Sequence, residues 1–387
     1  MPKLNSILTV RSIQTAEYNS QSCCHRIFSS EILTHRGSLK EKIMNTLFVP
    51  SLLNMALSKT AISICNHSDV KILFKELKEK PFRSLDDEML GICEPIRRRE
   101  CVLQPIIQRI TARVSALEIA ASEKQALRAV LRSTVKEICR WYFDHKDFLS
   151  IDFDEMKSFH WRFEGTINRL KTAQSLVQRQ DASISTRLQI ACHYCLMVDI
   201  HKLWELAPSP KEYPDVKNGS LSDIRNSVWG LYWFEKLCKL PTRALPHFPD
   251  ITNVGQLLYL LEIYSISDEG YQKKDLLMLA TLNNLADMDV VRFCLSLMNE
   301  YEMHKMLRVA AYDILFNFSI WPFQSLFLHM ADRMWAYLSK SDFHSLYAVI
   351  HSYAMNESCA NFDYVKLLKE FWNQCPTQLK KGIPNPL

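Results

Sequence analysis

The sequence predicts an all-α fold, a helical-repeat array of short helices that follows a segment of longer helices. Three observations lead to this prediction. The chain has 8 glycines in 387 residues, where average usage would give about 27. No proline lies between Pro105 and Pro208, and apolar residues recur there at helical spacing. Beyond this region, helix starts are predicted near residues 253, 272, 287, 303, 322, 341 and 361, and pairing these helices gives a period in the thirties, which is typical of a solenoid.

The scarcity of glycine also excludes several function classes. Loops that cradle phosphate groups need clustered glycines, and no two glycines in this chain lie closer than 11 residues. A Walker loop, a dinucleotide-binding fingerprint and a kinase-type Gly-rich loop are therefore absent from the sequence. Hairpin-rich β folds are disfavoured as well, because their tight turns need residues that tolerate positive φ.

Prolines and changes in helix length divide the chain into five segments. We predict a flexible N-terminal tail at 1–45, an α-helical segment with long helices and a basic ridge at 46–206, a Pro-rich loop at 207–219, a short-helix array at 220–375 and a C-terminal tail at 376–387. Three prolines between Ala207 and Pro214 cannot continue a helix. We expect the packing to continue across this loop, because the helix ending near Leu206 needs apolar cover from a helix at about 228–234.

A long helix is predicted at 122–145, in the segment before the Pro-rich loop. Ser122 and Gln125 form a capping-box pattern that opens this helix, which runs to about His145. Its apolar face consists of Leu127, Leu131, Val135, Ile138 and Tyr142.

A second long helix is predicted at 152–178. Asp152 and Glu155 open it in the same manner, and the carboxylates are favoured there by the positive end of the helix dipole. Its apolar residues, at roughly helical spacing, are Phe159, Phe163, Ile167, Leu170 and Leu176.

Two kinds of short motif recur along the chain. The window 186–195 aligns with 275–284 through shared Leu and Ala positions, and the windows 287–295 and 361–368 each place an acid before an apolar helix. These motifs resemble the ankyrin repeat, in which a Thr-Pro-Leu-His-x-Ala helix, a turn glycine and an Asp-Val-Val-x-x-Leu-Leu helix follow one another. Cys195 stands where the turn glycine is expected. The resemblance covers mainly 186–206 and 275–370 and implies stacked antiparallel helix pairs, whereas the alternative is a non-repetitive all-helical domain.

The best metal-like cluster is Cys192-His193-Tyr194-Cys195 with His201. Structural zinc needs four ligands, and no second Cys-x-x-Cys or His-x-x-x-His pair follows at a useful distance. We therefore predict that Cys192 and Cys195 are small buried residues and that the chain has no metal or other cofactor. The Cys23-Cys24-His25 group lies in the predicted tail and is weaker still.

A basic ridge is the strongest candidate site in the sequence. From Arg97 to Arg140 there are ten Lys and Arg residues against four Glu, a local charge of +6 compared with +5 for the whole chain. Five of these cations recur every four residues on one predicted helix: Lys124, Arg128, Arg132, Lys136 and Arg140. They either flank the buried face with their heads in water or bind an acidic surface, such as a protein segment, phosphoinositide head groups or RNA. Aromatic residues do not alternate with the cations, so nucleic acid is the least favoured ligand.

The function predicted from these features is a non-enzymatic scaffold or adaptor whose stacked helix pairs bind another protein. The alternative is an anion-binding module that acts through the basic residues 97–140. An enzyme whose active site combines residues scattered in the sequence is a third class. Twelve cysteines without a secretory signal favour the cytoplasm, with the nucleus and a mitochondrial transit peptide as alternatives. No segment has the roughly 20 apolar residues that a transmembrane helix needs.

Overall fold

In the computed structural model, the described residues are 51–79, 95–145, 156, 158–207, 228–238, 251–266, 273–283, 288–355 and 362–381. Helix makes up 79% of the structure. These residues contain no β-strand and only one isolated bridge, between Trp161 and Ile167. The all-α prediction is confirmed.

The helices before the Pro-rich loop are α1 (Leu52–Cys65), α2 (Ser68–Glu79), α3 (Pro95–Ser115), α4 (Ala121–Phe143), α5 (Arg169–Val177), α6 (Ile184–His193) and α7 (Met197–Leu206). Those after it are α8 (Val228–Leu237), α9 (Val254–Ile266), α10 (Lys273–Asn283), α11 (Met288–Leu297), α12 (Glu300–Phe318), α13 (Phe327–Met334), α14 (Lys340–Ala354), α15 (Tyr364–Gln374) and α16 (Thr377–Lys380). Short 3-10 helices flank α13 at Gln324–Leu326 and Trp335–Tyr337.

The helices α1 to α4 pack on one another, with α4 lying along α1 and α3 contacting α1, α2 and α4. The predicted apolar face of α4 is confirmed, since Leu127, Leu131, Val135 and Ile138 are all buried. Its fifth member, Tyr142, is half-buried against the core. The predicted Ser122 capping box is wrong. The helix begins at Ala121, and the backbone N–H of Ala120 donates to the Glu123 carboxylate at 3.2 Å, so a carboxylate one turn into the helix takes the capping role.

The helix predicted at 152–178 is also wrong over most of its described length. Residues 159–168 form a tight connection, and α5 starts only at Arg169, where the Asn168 side chain accepts the N–H of Lys171. The chain bends back at Gly165, which adopts φ +93°, in the left-handed region that disfavours other residues. Residues 152–155, with the predicted acidic cap, lie outside the described residues.

The predicted helix starts in the C-terminal half fall close to the observed ones. The helices α9, α10, α11 and α14 begin at residues 254, 273, 288 and 340, beside predictions of 253, 272, 287 and 341. Larger shifts occur at α12, α13 and α15, where the structure begins the helices at 300, 327 and 364 instead of 303, 322 and 361. Asn299 and Glu302 form the capping box that sets the earlier start of α12.

Two of the predicted segments differ from the structure in detail. Among the helices of 46–206 only α3 and α4 exceed 20 residues, while α12 of the short-helix array has 19. The predicted C-terminal tail includes α16, which packs on α14, and Leu379 contributes to the apolar core. Residues 1–45 and 208–219 lie outside the described residues.

Candidate functional site

The first two members of the basic ridge are used inside the fold. At the C-terminal end of α3, the carbonyl oxygen of Ser115 accepts a hydrogen bond from Lys124 at 3.0 Å. The Ser115 hydroxyl accepts one from the Arg128 guanidinium, also at 3.0 Å. Cations at the end of a helix stabilise its unpaired carbonyls and its dipole. Lys124 and Arg128 therefore help to hold α3 against α4, and each uses one of its donors within the fold.

The remaining ridge members face solvent along the second half of α4. Lys136 is exposed, and Arg132 and Arg140 are half-buried. In the part of the chain that the structure describes, none of the three forms an ion pair or a side-chain hydrogen bond. Among the described residues, the ridge members without such a contact are therefore Arg132, Lys136 and Arg140, which we call the three-cation patch.

A connection at residues 158–168, which we call the junction loop, lies against four elements. The Ser58 hydroxyl of α1 donates to the carbonyl of Glu164 at 3.4 Å, and the Glu137 carboxylate of α4 accepts the N–H of Ile167 at 3.1 Å. A Cβ placed on Gly165 would lie 2.8 Å from the ring of Trp321, on the segment that follows α12. The loop therefore joins the N-terminal helices to the array.

Two ion pairs fix the junction loop to α11. Arg162 donates to Asp289 at 3.0 Å, and Arg292 donates to Glu164 at 3.1 Å. The Glu164 side chain is only 2% exposed. Burial lowers the pKa of the Arg292 guanidinium, an effect that the charge of Glu164 opposes. Phe163, between the two anchored residues, is 51% exposed.

A group of buried rings lies where α4 ends beside α6. His145 is buried and stacks on Trp141, and its Nε2 lies 2.7 Å from the hydroxyl of Tyr194. Its Nδ1 contacts the carbonyl of Trp141. Because a carbonyl only accepts, Nδ1 carries the proton, and Nε2 accepts from Tyr194. Burial, with smaller contributions from the neighbouring His193 and Arg169, holds the pKa of His145 well below its usual range, so this imidazole is neutral.

Cys192 and Cys195 lie in the apolar core, as the sequence predicts, and burial raises the pKa of both thiols. His201 is exposed on α7. No group of three or more His, Cys, Asp or Glu side chains within the described ranges is arranged to hold a metal ion. Cys23, Cys24 and His25 lie outside those ranges.

An exposed surface that mixes cations with apolar side chains lies on α12. We define the α12 outer face as Tyr301, His304, Lys305, Arg308 and Val309. Tyr301 is 65% and Val309 is 63% exposed. The Lys305 ammonium lies 4.8 Å from the centre of the Tyr301 ring, and His304 contacts the hydroxyl of Tyr337.

Sequence reasoning found the ridge but missed the junction loop and the α12 outer face. The ion pairs of the loop join residues about 127 positions apart, and no local pattern predicts such a pairing. The α12 outer face is visible in the sequence only as the polar side of an amphipathic helix, where Tyr301 and Val309 interrupt the expected polar residues.

Comparisons of the chain with protein-family models, with curated proteins and with solved structures find no match. The resemblance to ankyrin repeats therefore stays a prediction from the sequence. Among the helices that the structure describes, none combines the length and the apolar character needed to cross a membrane.

Proposed function

We propose that this chain is a non-enzymatic scaffold, a helical-repeat array that binds another protein through the solvent-facing side of its helices. The observation that carries the proposal is the order in which the helices pack. Along the array, α9 contacts α10 and α11, α10 contacts α11 and α12, and α12 contacts α13 and α14. The order continues with α13 and α14 each contacting α15, and α14 contacting α16.

In a two-layer solenoid each helix contacts the next helix and the one after it, because each helix pair buries its apolar side against the pair that follows. The helices α11, α13 and α15 begin at residues 288, 327 and 364, which places them 39 and 37 residues apart, near the predicted period. The helices α10, α12 and α14 begin at 273, 300 and 340, so their spacing of 27 and 40 residues is less regular. An array of this kind presents an extended solvent-facing surface. This is the geometry that repeat proteins use to bind other proteins.

One local feature supports an ankyrin-like geometry for the pair α6 and α7. Cys195, at the position of the expected turn glycine, has φ +51°, in the left-handed region that glycine normally supplies at the end of a helix. The N–H of Leu196 donates back to the carbonyl of Ala191 at 2.9 Å, which closes the helix end. The turn therefore has the left-handed backbone that a glycine favours, with a cysteine in its place.

A crosslinking experiment tests the scaffold proposal. A photoreactive amino acid is placed at Val309 on α12, at Val365 on α15, or at Leu52 on α1, all exposed positions. We expect an array position to capture a discrete protein from cell extract, and purified unmodified chain to compete that product away. Leu52, outside the array, serves as the matched control. Capture that is equal at all three positions, or that the unmodified chain does not reduce, would contradict the proposal.

The three-cation patch favours a second candidate function, binding of an anionic ligand by Arg132, Lys136 and Arg140. Retention on heparin at low salt measures this activity, because phosphate and sulfate contacts weaken as salt is added. Charge reversal at Arg132 and Lys136 should abolish the retention. Reversal at Lys366 and Lys369, exposed cations of α15, is the control and should leave it unchanged. Absence of retention at low salt would remove this candidate.

A further inference from the structure

The α12 outer face carries two cations that the fold does not neutralise. The described contact of Lys305 is with the ring of Tyr301, and no ion pair is formed by Lys305 or Arg308 within the described ranges. In the contact between the junction loop and α11, by contrast, Arg162 is paired with Asp289 and Arg292 with Glu164. Charge at the α12 outer face is thus available to an external group.

The geometry of α12 places these cations beside the exposed apolar side chains. Residues 301, 305 and 308 are separated by one or two turns and lie on one side of the helix. The opposite side is buried against the core through Met303, Met306, Leu307, Ala310, Ala311 and Ile314. Tyr301, Lys305, Arg308 and Val309 consequently form one continuous solvent-facing surface.

Acidic groups limit this surface at its far end. Asp313 of α12 and Asp342 of α14 lie close enough for Asp342 to raise the pKa of Asp313, in addition to the larger effect of burial. The Asp342 carboxylate also accepts the N–H of Ser339 at 2.8 Å. At the near end, Glu300 and Glu302 lie in the first turn of α12. The positive charge of this surface is therefore confined to Lys305 and Arg308, in the second and third turns, and ends before the seam with α14.

We propose that the α12 outer face binds an acidic segment of a protein partner, one that carries carboxylates for Lys305 and Arg308 and an apolar side chain for the surface of Tyr301 and Val309. This inference rests on the scaffold function proposed above and names the partner class for one of its surfaces. Tyrosine and arginine are the residue types that most often dominate binding energy at interfaces. Complementary charge adds association rate and selects against basic partners.

The test uses the full chain and a synthetic probe. The probe is a fluorescein-labelled helical peptide with glutamates on one face and leucines on the other, and its uncharged twin carries glutamine in place of each glutamate. Fluorescence anisotropy at low salt measures binding. We expect saturable binding of the glutamate probe and binding of the twin that is at least about tenfold weaker.

Two pairs of substitutions separate charge from apolar contact. Lys305→Glu with Arg308→Glu should weaken binding of the glutamate probe by about tenfold or more, and Tyr301→Ala with Val309→Ser should do the same without changing the charge. The matched control is Arg132→Glu with Lys136→Glu on α4, which changes the net charge by the same amount and should leave binding unchanged. All the substituted side chains are exposed or half-buried, and circular dichroism verifies that each variant is folded.

The following results would contradict the proposed binding of an acidic segment by the α12 outer face. Equal losses from the α4 and α12 charge reversals would show that the probe responds to net charge alone. Binding that survives loss of Tyr301 and Val309 would remove the apolar contact, and absence of binding to the native chain would remove the site. If crosslinking at Val365 captures a partner while the α12 variants bind the probe normally, the scaffold function stands and only this assignment fails.

Discussion

Glu164 is a buried carboxylate that balances the half-buried guanidinium of Arg292. Its Oε1 accepts from Arg292 at 3.1 Å, and its side chain is 2% exposed. Removing one partner of a buried pair leaves the other charge uncompensated, which costs about 3 to 5 kcal/mol. We therefore expect Glu164→Ala to lower the free energy of unfolding by about 3 kcal/mol, as measured by urea denaturation.

The control for this prediction is the ion pair between Arg179 and Asp181. The guanidinium nitrogen lies 2.5 Å from the carboxylate oxygen, but the Asp181 side chain is 67% exposed. Solvent screens such a pair, and its contribution to stability is small. Asp181→Ala should leave the unfolding curve unchanged. Equal effects of the two substitutions would mean that the Glu164 pair is also screened, and that the junction loop is held by its apolar contacts alone.

His145 and His193, which lie beside Tyr194, should make the free energy of unfolding depend on pH. Burial and the charge of Arg169 lower the pKa of His193 to about 3, and the pKa of His145 is also well below its usual value. In the unfolded chain both titrate near 6.5. Below pH 6.5 the unfolded state therefore binds more protons than the folded state. The free energy of unfolding falls as the pH is lowered from about 6.5 towards 3, by at most about 1.4 kcal/mol per pH unit for each histidine.

Urea denaturation at a series of pH values checks this dependence. His193→Gln removes one of the two histidines whose pKa is lowered in the folded state. It keeps the backbone carbonyl of residue 193, which accepts hydrogen bonds from Asn253 and Gln256. The slope between pH 6 and 4 should become shallower in this variant. His344→Gln on the exposed side of α14 is the control. If both variants keep the native slope, carboxylates rather than the buried histidines set the acid sensitivity.

Cys195 combines a buried side chain with a left-handed backbone. A residue with a Cβ costs roughly 1 kcal/mol more than glycine at positive φ, while loss of the buried side chain costs a similar amount through the small cavity it leaves. We expect Cys195→Gly to unfold near the native midpoint and Cys195→Ala to be less stable by about 1 kcal/mol. Thermal unfolding with and without a chelator measures both, and the chelator should shift neither curve. Stoichiometric zinc in the purified chain would contradict the core role of this thiol.

At the scale of a single element, the cations of α4 have two different environments along the helix. Its first turns supply the cations that close α3, and its later turns face solvent. Arg128→Ala removes the hydrogen bond to the hydroxyl of Ser115 and also the packing of its stem, so we expect a loss of about 1 kcal/mol in urea denaturation. Arg132→Ala, one turn further along the same helix, should change stability by less than half of that. Equal losses would place both arginines in the packing of α4.

The helix starts of the array were predictable because local rules set them. Capping residues such as Asn299 and Ser339 act within one turn of the helix that they begin. The stretch 159–168 was not predictable in this way. Phe159, Phe163 and Ile167 have helical spacing, but the chain turns back between them and leaves Phe163 exposed. Apolar spacing alone does not distinguish a helix from a loop whose side chains are buried by distant elements.

The roles of the ridge cations depended on tertiary contacts in the same way. Spacing along α4 placed all five on a gradually turning ridge, and nothing local separated Lys124 and Arg128 from the rest. The difference arises because α3 ends beside the first turns of α4, where Ser115 offers two acceptors. The sequence shows that α4 is a charged helix. The position of the end of α3 determines which of its cations form hydrogen bonds within the fold.

For the whole molecule, contacts join the segments before and after the Pro-rich loop. The helix α8 packs on α6, and the rings of Trp204 and Phe234 meet edge to face at 6.1 Å. The carbonyl of His193 accepts hydrogen bonds from Asn253 and Gln256 at 3.1 and 2.7 Å. Together with the junction-loop ion pairs, these contacts favour one continuous body, because cutting the chain at residue 207 would expose apolar and charged surface on both sides.

Cooperative unfolding of the full chain is the expected consequence of these contacts. Cys65 in α1 and Cys294 in α11 are fully buried thiols on opposite sides of the Pro-rich loop, so each reacts with a thiol reagent only when its surroundings open. Urea titration with mass-spectrometric detection of labelling at each cysteine should give the same midpoint for both. Glu164→Ala loosens the link between the segments and should separate the two midpoints, whereas Asp181→Ala should not. Different midpoints in the native chain would instead identify the Pro-rich loop as a linker between independently folding domains.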